Sequence, residues 1–124
     1  MSVIKPLQMN YVPKRWGWEL WIYNGDQYCG KKLFIKQGES LSLQFHKLKD
    51  ETIYVESGRI EFTIGAPGNA VPSTEVVGPG VAYHVTPGTV HRMHALEDSM
   101  LLEVSTPQLD DVVRLEDAYG RQGT

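Results

Sequence analysis

The sequence predicts an all-β fold, a small one-domain sandwich or barrel, and three observations predict it. Glycine and proline cut the chain into short runs rich in β-branched, aromatic and Leu residues. Turn signals recur every 8–12 residues, the spacing of all-β sandwiches and barrels. Before position 107 no window of 11–18 residues holds a helical period.

Eight runs carry the pattern. Lys31–Gln37 alternates and stops at Gly38, and Leu41–Lys47, Glu51–Ser57 and Arg59–Ile64 follow. Glu75–Val77, Val81–Thr86, Val90–Leu96 and Met100–Ser105 complete the set. Gly65–Thr74 (GAPGNAVPST) reads as a surface loop inside one domain, because either half alone is too short to bury a core. The expected organisation is one domain, 1–124, with an N-terminal arm (1–28), a barrel (29–106) and a C-terminal segment (107–124). The first 24 residues are aromatic (Tyr11, Trp16, Trp18, Trp21, Tyr23) and should pack on the barrel or on a second subunit. Asp110–Tyr119 suits a short helix or a strapped-on segment.

Composition narrows the function. Of 124 residues, 41% are hydrophobic and 22% charged, ordinary values for a soluble globular chain. A net charge of -3 leaves no basic footprint, so nucleic acid is not an expected partner. No apolar stretch approaches the ~20 residues of a membrane helix, and no signal-peptide pattern opens the chain. One cysteine, Cys29, excludes an internal disulfide and fits a reducing cytoplasm, so a complete, unexported cytoplasmic protein is expected.

One constellation carries chemistry. In Leu41–Lys47, period-2 alternation points Ser42, Gln44 and His46 to one face, with Gln44 and His46 roughly 6–7 Å apart. After a turn at Lys47–Asp50, Glu51 opens the next strand, where an antiparallel neighbour brings its carboxylate beside the pair. His91, after Pro87-Gly88, supplies a fourth ligand from the other half of the chain. His84 and His94 compete for that place, but His84 points away from the Pro-Gly turn and His94 falls on the opposite strand face from His91. Imidazole suits Zn, Fe, Co, Ni or Mn, carboxylate compensates charge, and an amide oxygen is a weak, hard ligand. Two His, one Glu and one Gln leave positions open for water or substrate, which suggests a catalytic site.

These residues resemble a known family. Gly38-x5-Gln44-x-His46-x4-Glu51-x6-Gly58 is similar to the first cupin motif, with Gln44 where many cupins have histidine. Gly80-x5-Thr-Pro-Gly-x2-His91 is similar to the second, with Thr86 in the usual proline position and Ala95 in the usual asparagine one. Within the cupins the chain looks like the type II mannose-6-phosphate isomerase domain, often fused to a mannose-1-phosphate nucleotidyltransferase. Arg15–Glu19, Leu41–His46 with Glu51, His91-Arg92, and the stretch from Glu103 to Arg121 carry that likeness. No nucleotidyltransferase domain is expected beside this one, and Arg15-Trp16 lacks the proline common in the family.

The resemblance implies a jelly-roll barrel (a double-stranded β-helix) and one divalent metal per chain, zinc first, with manganese, cobalt, nickel or iron as alternatives. It also implies aldose–ketose interconversion of a sugar phosphate through an enediolate. Lys36, Glu19, His84 and Asp117 are candidates for the base, and the site is expected to draw its catalytic groups from Lys36, Glu19 and Arg92. Arg92, Arg114 and Arg121 are the phosphate candidates, guanidinium being the better fork for phosphate, and His84 is a further substrate-binding candidate. Arg114 and Arg121 have a competing role, pairing with Asp110, Asp111 and Asp117 to tether the tail. Cupins of this size usually pair, so a homodimer is expected. The alternatives are a metal-cupin isomerase or epimerase on a free sugar, and a non-catalytic sugar-binding module.

Overall fold

Alternation of apolar and polar residues along nearly every run makes two-faced strands, and the computed structural model of the chain packs their apolar faces against each other. It describes residues 4–66, 72–108 and 110–116. Eleven strands and no helix occur among them: β1 (Asn10–Lys14), β2 (Gly17–Asn24), β3 (Cys29–Ile35), β4 (Leu43–His46), β5 (Glu51–Ser57) and β6 (Ile60–Gly65) come first. β7 (Ser73–Val77), β8 (Ala82–Val85), β9 (Val90–Ala95), β10 (Ser99–Ser105) and β11 (Val112–Glu116) follow. Among the described residues, no helix is long and apolar enough to cross a membrane.

The strands form two sheets, ordered β1-β2-β3-β10-β5-β8 and β11-β4-β9-β6-β7, and the pairings are antiparallel. Ile35, Ile53, Val55, Ile60, Phe62, Met93, Ala95 and Leu101 lie between the sheets, each 2% exposed or less. All eight expected runs are strands, with ends shifted by one or two residues at most of them. Gly38, Gly58, Gly80 and Gly88 all adopt positive φ, the conformation that glycine tolerates best. Gly58 is also sterically required, since a Cβ there would lie 2.2 Å from Ser99 Oγ and 2.6 Å from the Asp98 carbonyl oxygen.

The described parts of both terminal segments are strands paired into the sheets. Within the N-terminal arm, residues 10–24 form a hairpin, β1–β2, that packs on the barrel by extending the larger sheet through β3. Its aromatics are divided by strand alternation. Trp16 is buried in the core, while Trp18 stacks on Phe34 with ring centroids 5.5 Å apart. Of the two forms expected for the C-terminal segment, Val112–Glu116 takes the strapped-on one, a strand whose pairing with β4 satisfies its backbone. Asp117 and Arg121 lie outside the described residues.

Candidate metal centre

Register brings the metal constellation together. Gln44 on β4 sits directly opposite His91 on β9, so both point to the same face. Glu51 opens β5 on the other sheet, and its carboxylate reaches across to the imidazoles. Glu51 Oε1 lies 3.4 Å from His46 Nε2 and 3.3 Å from His91 Nε2. All three side chains are buried, and their ligand atoms lie within 4.8 Å of one another. Gln44 Oε1 accepts a hydrogen bond from Ser42 Oγ at 2.6 Å.

The donor set fits a divalent cation. The Thr89 carbonyl, which can only accept, lies 3.0 Å from His91 Nδ1. Nδ1 therefore carries a hydrogen, which leaves Nε2 as the nitrogen that can present a lone pair to a metal. That lone pair faces a carboxylate oxygen, and two buried acceptors in contact are repulsive unless a cation lies between them. His91 Nε2 has no hydrogen-bond partner in its buried position. A metal held by His46, His91 and Glu51 resolves this, and three protein ligands leave room for a further ligand.

The cluster lines a cavity of about 730 Å³, the size of a small-molecule site. Val12, Lys14, Trp16, Glu19, Trp21 and Lys31 from the N-terminal hairpin and β3 form one wall. Asp110, Val112 and Arg114 form another, with Arg114 in register beside Gln44. Glu19 and Arg114 therefore reach the cavity.

Three other expected residues stand elsewhere. Arg92 lies between His91 and Met93, so its side chain faces outward, and its Nη1 is 3.6 Å from Glu116 Oε2. Lys36 follows the inward-facing Ile35 past the end of β3 and is exposed outside the cavity. His84 lies on the outer face of β8 with Nε2 2.6 Å from Asp50 Oδ1, so it lines nothing. Arg121 cannot be placed, being outside the described residues. His94 is turned away from the cluster, with Nδ1 2.5 Å from Ser40 Oγ.

The structure adds groups that sequence reasoning missed. Lys49, from the turn before β5, is 4% exposed, and its Nζ lies 3.2 Å from Glu51 Oε2 and 2.9 Å from Glu103 Oε2. Lys31 Nζ lies 3.6 Å from Glu103 Oε2 and 3.1 Å from Glu19 Oε1, which also accepts from Trp21 Nε1 at 2.8 Å. A ladder of alternating charge thus runs from Glu51 to Glu19 along the cavity.

The ladder sets its members' protonation. Burial alone would raise the Glu51 carboxyl, but its polar neighbours His46 and His91 and the charge of Lys49 hold it far below the usual range. Burial would lower Lys49, yet Glu103 and Glu51 keep its ammonium charged above the ordinary lysine range. Burial and the nearby Glu51 push Glu103 upward, against the pull of Lys31 and Lys49. Glu19 is also penalised by burial, but Lys31, Trp21 and Lys14 bring it below its ordinary value.

An antiparallel barrel with a His/His/Glu cluster at one mouth defines a metal-site barrel. The chain belongs to the cupin domain family, which matches residues 32–105. Among curated proteins it is 32% identical over 118 residues to mannose-1-phosphate guanylyltransferase ManC of Salmonella typhimurium, covering 89% of this chain and 23% of that protein. The Xanthomonas campestris xanthan biosynthesis protein XanB is 31% identical, with the same coverages. The chain therefore spans under a quarter of the length of these relatives. KdgF from a Halomonas species has the same fold, with a TM-score of 0.71, 19% identity, and coverage of 82% of this chain and 91% of that one. Oxalate decarboxylase from Bacillus subtilis superposes with a TM-score of 0.74 at 19% identity over 86% of this chain and 30% of its own. The guanylyltransferase relatives agree with the branch that the motif residues resemble.

Proposed function

We propose that the chain is a metal-dependent isomerase of a sugar phosphate, interconverting aldose and ketose through an enediolate. The observation that carries this reading is the His46/Glu51/His91 cluster at the base of a cavity that also holds Gln44, Arg114 and a ladder of ionised groups. The mannose-1-phosphate relatives and the motif resemblance support the substrate class.

A divalent metal, zinc first, held by His46, Glu51 and His91 with Gln44 as the fourth protein ligand, would polarise the substrate's carbonyl and adjacent hydroxyl oxygens. The protein's own groups do the rest. Arg114 grips the phosphate. Glu103, whose carboxyl is pushed upward by burial and the nearby Glu51, takes the proton from the carbon next to the carbonyl and delivers it to the former carbonyl carbon, while the proton of the adjacent hydroxyl passes to the former carbonyl oxygen. Glu19 is the weaker base of the two because its value is depressed, and it accepts a sugar hydroxyl instead. Val12, Trp16 and Trp21 limit water on the opposite wall.

The test is a coupled assay of metal-loaded protein with mannose 6-phosphate and fructose 6-phosphate. Turnover that Glu103→Gln abolishes and that Arg114→Ala weakens through KM supports the reading. No turnover across hexose and pentose phosphates sinks it.

One observation favours a second reading, an isomerase or epimerase of a free sugar. Lys14, Lys31 and Lys49 are each ion-paired with carboxylates in the same cavity, so three of its cations are compensated before an anionic substrate arrives. Activity on unphosphorylated sugars that Arg114→Ala leaves unchanged would favour it. A homodimer belongs to the same proposal. Leu7, Met9 and Tyr11 stand exposed on and beside the edge strand β1, where a second copy would cover them, and sedimentation checks it.

A further inference from the structure

Lys49 is an unexpected residue to find inside a barrel. It comes from a four-residue turn, yet its side chain is 5% exposed and sits between two buried carboxylates. Both of its ends are fixed. Its backbone N–H donates to Asp111 Oδ2 at 2.9 Å, and its ammonium lies 2.9 Å from Glu103 Oε2. Its third contact is with Glu51, and that contact is one-sided. Oε2 of Glu51 faces the Lys49 ammonium at 3.2 Å, while Oε1 faces His46 and His91 at 3.4 and 3.3 Å. The two oxygens of one carboxylate are thus assigned to different cations, the lysine on one side and the metal position on the other.

We infer that Lys49 is a positioning residue that restricts Glu51 to a single coordinating oxygen, so that a place in the metal's shell stays open for an exogenous ligand. The inference rests on the metal-centre reading and not on the isomerase one. A carboxylate beside a divalent cation can bind through one oxygen or both. Here an ammonium anchored by a second buried carboxylate attracts Oε2 away from the cluster. Without it, Glu51 is free to turn both oxygens on the metal, and the shell closes on the ligand's side.

The experiment uses the full chain loaded with cobalt(II), whose visible d–d absorption weakens as coordination number rises, and azide as the exogenous anion. Lys49→Met is expected to weaken the d–d band and to reduce azide affinity at least about tenfold, the usual scale for losing a group that orients a metal ligand. Lys49→Arg, which keeps the cation, is expected to retain both. Lys49→Met leaves Glu51 and Glu103 buried without their shared cation. The double variant Lys49→Met/Glu103→Gln therefore accompanies it, removing one charge of each sign, and the same band change is expected there. A wild-type band in both variants overturns the inference. So does a fall in azide affinity with the band unchanged, because loss of a positive charge alone would produce that. A wild-type chain that binds no cobalt overturns the metal centre and this inference together.

Discussion

On β5 the inward side chains run Glu51, Ile53, Val55; on β9 they run His91, Met93, Ala95; on β3 they run Lys31, Leu33, Ile35. β10, antiparallel to β3 and β5, follows the same gradient from Glu103 to Leu101. The same strands therefore build an apolar end and an ionisable end two residues apart, and register aligns the change from strand to strand. At one end, burial of Ile, Val, Leu and Phe drives folding. At the other, buried ions carry desolvation costs that their pairing only partly offsets. The difference teaches that the stability of this barrel is concentrated away from its chemistry, so each end can be altered with little effect on the other.

The largest expected effect tests the apolar end. Phe62 is 1% exposed and stacks on Tyr83 with ring centroids 4.1 Å apart. Phe62→Ala is expected to cost about 3–5 kcal/mol in urea unfolding, because it removes a large buried side chain and leaves a cavity. Metal affinity at the other end should stay within about twofold of wild type in titration calorimetry, as distant sites behave independently. A large loss of metal affinity in a folded Phe62→Ala protein would break the comparison.

The metal gives the next effect. A ligand at one hundred times its Kd stabilises the native state by about 2.7 kcal/mol. Zinc or cobalt at that excess should raise the wild-type melting temperature, and a chelator should reverse the rise. In His91→Ala the rise should vanish, because the variant loses one of the cluster's two imidazoles. A metal-dependent rise that persists undiminished in His91→Ala would place the metal elsewhere.

Replacing part of the ladder tests the cost of the ionisable end. Glu19→Leu combined with Lys31→Met removes a buried pair 3.1 Å apart. Stability should be unchanged or raised, by up to about 2 kcal/mol, because well-packed apolar side chains often match or exceed a buried ion pair. Sugar binding, followed as KM, should weaken. A loss of more than about 2 kcal/mol would instead make the ladder a structural element.

How much of this was legible in the sequence follows from the same strand geometry. Gln44, His46, Glu51 and His91 were legible because period-2 alternation is local and the spacing of the glycines and ligands matches a motif. The same rule, applied to the neighbour of His91, turns Arg92 outward, and applied to the neighbour of Ile35 it turns Lys36 away from the cavity. Lys49 was not legible, since a lysine in a turn normally faces water, and only the cross-sheet placement of Glu51 and Glu103 draws it inward. The alignment of Glu103 with Lys31 depends on the β10–β3 register, which no single sequence prints. β1 and β2 were hidden for a related reason: their aromatic density marked a surface that needs covering but not the hairpin that covers it.

The smallest expected effect lies where the ionisable end meets the C-terminal strand. Asp111 Oδ2 accepts from the backbone N–H of Leu48 at 2.5 Å and of Lys49 at 2.9 Å, and so holds the turn that leads from β4 to Glu51. Slight burial raises the Asp111 carboxyl, but those N–H groups and that of Lys47 outweigh it and bring it below its ordinary value of 3.8. A group whose folded value is depressed contributes stability that is present above its unfolded value and is lost as pH falls through the folded one. Asp111→Asn should therefore cost about 0.5–1 kcal/mol near pH 7, at the low end for a charged acceptor because this carboxylate is open to solvent. The difference from wild type should narrow only below about pH 4, as the wild-type carboxyl is itself protonated. Urea unfolding of both proteins between pH 3 and 7 measures it. A constant difference across that range would mean that the amide holds the turn in a way the charge does not affect, and that the loop between the metal ligands owes nothing to Asp111 ionisation.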